Sequence, residues 1–193
     1  MHKVLLIGDS SSVGKTVAAA SLSEYLGWPS VQLDQYLHNT GDPELQLFPD
    51  GVENWDLPSN ELCQRLITIS KQAIAPVESL IAGLKNNDDA AIIEGEAIHP
   101  RLAESAVKTK GMASIFIIET NPHRLYKTLA NRSFRFLNLS KAQRKTVVET
   151  DRLYGLWLKA EAKQRNVPLV LSQPWDSLCD RILKKCGLWQ QGT

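Results

Sequence analysis

The chain has 193 residues, with 22 Lys and Arg against 21 Asp and Glu, a formal net charge of +1 and an isoelectric point near 7.7. This length fills one core well and is short for two domains with a linker, so residues 1–193 are expected to form a single domain. The near-neutral balance excludes a global field favouring nucleic acid or an anionic membrane, and any preference for anions must be local.

Short apolar runs rich in β-branched residues or leucine alternate with long amphipathic stretches, the rhythm of an α/β fold with a buried parallel sheet. In chain order the pattern predicts a strand over 3–8, a helix over 14–26 and a strand over 30–33. Residues 38–58 hold Gly41, Pro43, Pro49, Gly51 and Pro58 with little periodicity and read as a surface loop. A loop of that length in a compact domain is usually functional. A helix over 59–84, a strand over 90–94, a helix over 99–108 and a strand over 114–118 follow. Helices over 122–131 and 140–165, a strand over 168–172 and a helix over 175–185 complete the order. Asn121 before Pro122 offers a cap and a first-turn proline, Ser140 can cap the long helix, and Gly187 can end the last one. Tyr154, Trp157 and Leu158 form a helical stripe assigned to the core.

Cys63, Cys179 and Cys186 are odd in number and lack metal-ligand spacing. They fit the reduced thiols of a cytoplasmic protein, as small core hydrophobes, better than a disulfide framework. The apolar run Val4 to Ile7 is too short for a signal peptide or a membrane span, and no later segment is long enough to span.

Residues 3–16 read KVLLIGDSSSVGKT, a strand, a turn and a helix start. Phosphate binding needs that context, because backbone N–H groups and the positive end of the helix dipole converge on the anion. Ser10, Ser11, Ser12, Val13, Gly14, Lys15 and Thr16 are therefore the predicted nucleotide-binding loop. Lys15 would set its ammonium against the terminal phosphates, and Thr16 would offer its hydroxyl to Mg²⁺. Aligned on Gly14-Lys15-Thr16, the first glycine of the G-x-x-x-x-G-K-[ST] pattern falls on Asp9, with Gly8 one place earlier. Asp9 either repels phosphate or points away and caps the turn.

A guanine-reading Asn-Lys-x-Asp is missing, which argues against a GTPase. The remaining features are Val31-Gln32-Leu33-Asp34-Gln35-Tyr36 after the second strand, Asn54-Trp55-Asp56-Leu57-Pro58 closing the long loop, Ile92-Ile93-Glu94-Gly95-Glu96 at the third strand, and a basic segment with Arg132 and Arg135. On these the chain resembles the small-molecule kinases of the P-loop group, most closely the uridine kinase, nicotinamide riboside kinase and 2-phosphoglycerate kinase families. The resemblance covers most of the chain, with the phosphate loop its one highly specific part. It implies a doubly wound, five-stranded parallel sheet in the order 2-3-1-4-5 with flanking helices and a helical lid near residues 124–152. It also implies ATP and Mg²⁺, with Asp34 as general base and Glu94 at the metal and substrate edge.

Physical reasoning agrees with that placement, since ligands of a doubly wound sheet gather at the carboxyl ends of its strands. There Asp34 can accept or orient a hydroxyl proton and Glu94 can hold Mg²⁺ through water; the plain alternatives are a turn residue and a surface acid. Asp56 is a candidate for substrate hydroxyls by the same resemblance, or a turn-packing residue. Tyr36 stands with Asp34 among the predicted substrate-binding residues. His99 and Arg101 are candidates for an anionic substrate, against a structural histidine near a helix start. Arg132 and Arg135 lie one helical turn apart and can reach one polyanion together, which makes them the catalytic arginines of the expected lid; a solvated basic face is the alternative. Trp175 falls where related kinases pack a loop against adenine, with core packing as its other reading.

The expected function is transfer of the γ-phosphate of Mg-ATP to a hydroxyl of a small molecule. The competing expectations are a regulatory or partner-binding NTPase that uses ATP as a switch and, on the same fold, a kinase acting on a polynucleotide or a peptidoglycan sugar. The charge balance counts against nucleic acid, and no membrane partner is expected.

Overall fold

The computed structural model describes residues 3–48, 54–132 and 134–189, and the side chains of Arg132 and Phe134 lie outside the described residues. Five strands, β1 (Val4–Asp9), β2 (Ser30–Gln32), β3 (Ala91–Gly95), β4 (Met112–Ile118) and β5 (Leu169–Leu171), form a parallel sheet in the order β2-β3-β1-β4-β5. This is the predicted topology. Each crossover carries helix, as parallel neighbours require.

The first strand shows why the sheet is buried on both faces. Side chains alternate across a strand, so Val4 and Leu6 join one apolar cluster while Leu5 and Ile7 join another. The second cluster seats α1 (Lys15–Leu26) and α9 (Leu178–Lys185). The first takes α3 (Ser59–Gln72), α4 (Ile74–Asn86), α5 (Pro100–Lys108) and the carboxyl half of α8 (Lys141–Arg165). Burying each leucine-sized side chain contributes about 1.5–3 kcal/mol. Tyr154 and Leu158 are buried there as expected, and Trp157 stacks on Tyr154 with ring centroids 5.3 Å apart.

Several elements differ from the sequence reading. The helix expected over 59–84 is two, broken at Ala73. Pro76 lacks an N–H and crowds the carbonyl four residues back, so a continuous helix cannot pass through Gln72. The chain after β2 turns at once into α2 (Leu33–His38), which buries Leu33 and Leu37 one turn apart. The loop that follows contains a short 3₁₀ turn over Pro43–Leu45, and its residues Pro49 and Gly51 lie outside the described residues. Between α6 (Pro122–Arg132) and α8 the chain forms a further short helix, α7 (Phe134–Asn138). The last helix starts as a 3₁₀ turn, Trp175–Ser177.

The boundary chemistry behaves as read. Asn121 Oδ1 accepts the N–H groups of His123 and Arg124, Ser140 and Gln143 form a reciprocal capping box, and Gly187 follows α9 with φ +64°. The basic segment has its own apolar cluster of Leu125, Leu129, Phe136, Val147 and Val148, on which Trp55 of the long loop packs. Cys63, Cys179 and Cys186 are free thiols, and burial raises the pKa of each. No helix among the described residues is long and apolar enough to cross a membrane.

Candidate functional site

The sheet register sets the site. Ile7 pairs with Glu94, Gly8 with Gly95 and Asp9 with Ile117, so β1 and β3 end together and deliver their last acids to one edge. Gly8 is required because a Cβ there would overlap the Phe116 ring. After Asp9 the chain turns through Ser12 (φ +63°) and Gly14 (φ +92°) into α1, and that helix start has no side-chain cap. Its first N–H groups and the positive end of the helix dipole are thus left for an anion.

Lys15 is the first residue of α1 and is 8% exposed. Its ammonium lies 3.3 Å from Asp9 Oδ2 and 3.6 Å from Asp34 Oδ2. Burial alone would lower the Lys15 pKa, but the carboxylates of Asp9, Glu96, Asp34 and Glu94 reverse this and hold it well above the ordinary lysine value. Asp9 is fully buried and accepts no hydrogen bond among the described residues. Burial pushes its carboxyl well above the ordinary range, and Lys15 opposes that rise. Asp9 therefore turns onto the lysine and does not cap the turn.

Asp34, on the first turn of α2, is bound on both oxygens. Oδ1 accepts the Glu96 N–H at 3.1 Å while Oδ2 faces Lys15. Gly95 permits this approach, since a Cβ there would stand 2.7 Å from Leu33 Cβ and 2.9 Å from Asp34 Oδ1. The Glu-Gly pair of β3 thus has a steric cause. Glu94 is buried at the same edge, and Thr16 is half-buried in the first turn of α1.

The other predicted residues are more scattered. Asp56 is exposed and accepts a hydrogen bond from Gln143 Nε2 at 3.3 Å, which ties the long loop to α8. Tyr36 is exposed on α2, and Arg101 is exposed on the first turn of α5. His99 is buried as the N-cap of α5, with Nδ1 accepting the Arg101 N–H at 3.1 Å and the ring 5.7 Å from that of Trp157. Burial, and then the nearby Arg165, push its pKa down to about 4, so a neutral ring serves as the cap. Arg135 is exposed on α7 and lines a cavity of about 190 Å³ with Ser11 and Glu96. The backbone of Arg132 ends α6, and its side chain lies outside the described residues. Trp175 is 51% exposed, so core packing is not its role. Its indole stands about 3.7 Å from where a Cβ on Gly14 would lie and walls a second cavity of about 570 Å³ beside Val17, Ser21 and Asn131. Arg181 clamps the turn that carries it, donating to the carbonyls of Leu171 (2.5 Å) and Pro174 (2.7 Å).

Three residues of this region were missed in the sequence. Glu119, just past β4, accepts the N–H groups of Thr120 and Asn121 and the hydroxyl of Ser172, and so ties the ends of β4 and β5 together. Thr150 and Asp151 are buried on α8 and line the smaller cavity. A signal existed: Asp151 follows Val147 by four residues and precedes Tyr154 by three, which puts an acid on the apolar stripe. Gly155 lets that helix touch the phosphate loop, because a Cβ there would be 3.2 Å from Ser10 Oγ.

No protein-family model matches the chain, and no curated protein matches it. Solved structures do. A gluconokinase from Sinorhizobium meliloti 1021 aligns over 97% of this chain and 94% of its own, at 13% identity and a TM-score of 0.54. An uncharacterized protein from Eubacterium ventriosum ATCC 27560 aligns over 97% of this chain and 99% of its own, at 16% identity and a TM-score of 0.51. With the strand order, these likenesses define the class: the chain has the P-loop kinase fold.

Proposed function

We propose that the protein is an ATP-dependent phosphotransferase acting on a hydroxyl of a small molecule. The observation that carries this reading is the placement of Asp34 Oδ2 3.6 Å from the Lys15 ammonium, which sets a base for the acceptor beside the cation that faces the phosphates. The uncapped start of α1 and the buried lysine fit a polyphosphate, and Thr16 with Glu94 would hold Mg²⁺. Mg-ATP, when bound, supplies the phosphoryl group and neutralises part of its charge. Lys15 orients the terminal phosphates. Asp34, held by the Glu96 N–H, takes or steers the hydroxyl proton. Trp175 offers the base a flat apolar wall beside Gly14. Arg135, and Arg132 with it, supply charge from the lid as the phosphoryl group moves. A small-molecule acceptor is also favoured by the gluconokinase of the same fold, and on this reading the protein is a cytoplasmic small-molecule kinase.

Asp34→Asn should keep the fold and ATP affinity while acceptor-dependent ADP release falls about 10²-fold or more. Lys15→Ala, in contrast, should weaken ATP binding itself. A nucleotide switch would show the other pattern, with acceptor-independent hydrolysis falling in Glu94→Gln and hardly responding at Asp34. Full acceptor phosphorylation by Asp34→Asn removes the general-base role.

A further inference from the structure

The cavity of about 190 Å³ beside the phosphate loop has a mixed lining. Ser11, Glu96, Thr150 and Asp151 are polar, and Trp55 and Phe136 are among its apolar residues. Asp151 is 6% exposed and Thr150 is 1% exposed. Among the described residues Asp151 Oδ2 and Thr150 Oγ1 both lack hydrogen-bond partners, and buried polar atoms are rarely left so. Leaving such a group unmet costs about 1–3 kcal/mol, so a structure that retains two of them side by side on a cavity wall calls for a ligand that meets them. Among the described residues that line it, the charged groups are Glu96, Asp151 and Arg135. A carboxylate accepts and does not donate, so it is a good partner for hydroxyl or ammonium groups and a poor one for another carboxylate.

We propose that this cavity is the acceptor pocket and takes a small polyol or amino-polyol, uncharged or cationic, whose hydroxyl or ammonium groups donate to Asp151 and whose carbon-bound face packs on Trp55 and Phe136. It rests on the phosphotransferase reading and adds the acceptor class. Burial pushes the Asp151 carboxyl well above the ordinary range, Glu96 adds to the rise and Lys15 opposes it. A bound donor restores the charged form by replacing lost solvation with a hydrogen bond. The pocket thereby disfavours a sugar acid, even though a gluconokinase shares the fold.

The test uses the full chain and three compounds on one carbon skeleton: sorbitol, its 1-amino analogue glucamine, and gluconate. Dissociation constants are measured by calorimetry without nucleotide, and ADP release is measured with Mg-ATP. Sorbitol and glucamine should bind at least fivefold more tightly than gluconate. Asp151→Asn should weaken glucamine about tenfold and sorbitol severalfold, and Thr150→Val should weaken both. Asp151→Asn should also raise Tm at neutral pH, because it removes a desolvated carboxylate, so folding is checked in the same sample. Gluconate binding as tightly as the polyols, no binding of either polyol, or indifference to Asp151→Asn overturns the pocket assignment. Polyol binding that depends on Asp151 but yields no ADP keeps the cavity as a polyol site and overturns its role as the acceptor pocket. ADP formation on gluconate that ignores Asp151 overturns the pocket and keeps the kinase reading.

Discussion

Replacing Asp9 by Asn tests how the phosphate loop works with an acid where its pattern has glycine. At 3.3 Å the Asp9–Lys15 attraction is about 5 kcal/mol gross at an effective dielectric constant of about 20. That sum does not measure what nucleotide binding loses, because Lys15 can keep Asp9 while meeting a phosphate. A phosphate beyond the ammonium stands roughly twice that distance from Asp9, where repulsion is about 2.5 kcal/mol per unit charge at the same dielectric. Protonation of Asp9 relieves part of this, since burial has already raised its pKa and a nearby polyanion raises it further. We therefore expect Asp9→Asn to tighten ATP about tenfold, or about 1.4 kcal/mol. Wild-type affinity should also rise as pH falls through the raised titration range of Asp9, above that of an ordinary carboxylate, because protonated Asp9 no longer repels the phosphate. Since ATP titrates too, the informative quantity is the difference between wild type and variant, which should shrink as pH falls. Calorimetry in two buffers of different ionisation enthalpy should show proton uptake by the wild type that the variant lacks. Equal or weaker ATP binding by Asp9→Asn at neutral pH, with no difference in proton uptake, would refute the reasoning.

Arg135→Ala and Arg132→Ala are expected to lower the catalytic rate more than they weaken nucleotide binding, since their charge matters most as the phosphoryl group moves; steady-state kinetics with the true acceptor reads this, and unchanged rates return the segment to a solvated face. His99 gives a stability signature. Its folded pKa of about 4 lies below the unfolded value of about 6.5, so unfolding takes up a proton and stability is lost as pH falls through that window, by up to about 3 kcal/mol. His99→Asn keeps a good N-cap and should flatten that loss in urea titrations, with little effect on ATP binding.

The sheet was legible because both faces of every central strand are buried, which writes each strand as a continuous apolar run such as Val4 to Ile7. The caps at Asn121 and Ser140 were legible because capping chemistry is local, decided within three residues. The break at Ala73 was local too, and Pro76 announced it; amphipathic periodicity carried across the gap and hid it. The short helix α2 was hidden for another reason, because six residues give too few turns for a period, and Leu33 and Leu37 are held by tertiary packing.

The site divides along the same line. Lys15 and the phosphate loop are contiguous in sequence, so spacing alone marks them, whereas the pairing of Asp9, Asp34 and the Glu96 amide joins the ends of three strands and has no local signature. His99 and Asp151 show the two ways a polar residue enters a core. His99 is buried with its acceptor nitrogen used by a backbone N–H two residues on, which accounts for it structurally. Asp151 is buried beside a cavity with one oxygen that has no hydrogen-bond partner among the described residues. Sequence spacing cannot separate these cases, since both read as single polar residues near apolar neighbours. The hydrogen-bond inventory can: a buried polar group that the fold satisfies belongs to stability, and one that it leaves unsatisfied at a cavity wall points to what enters from outside.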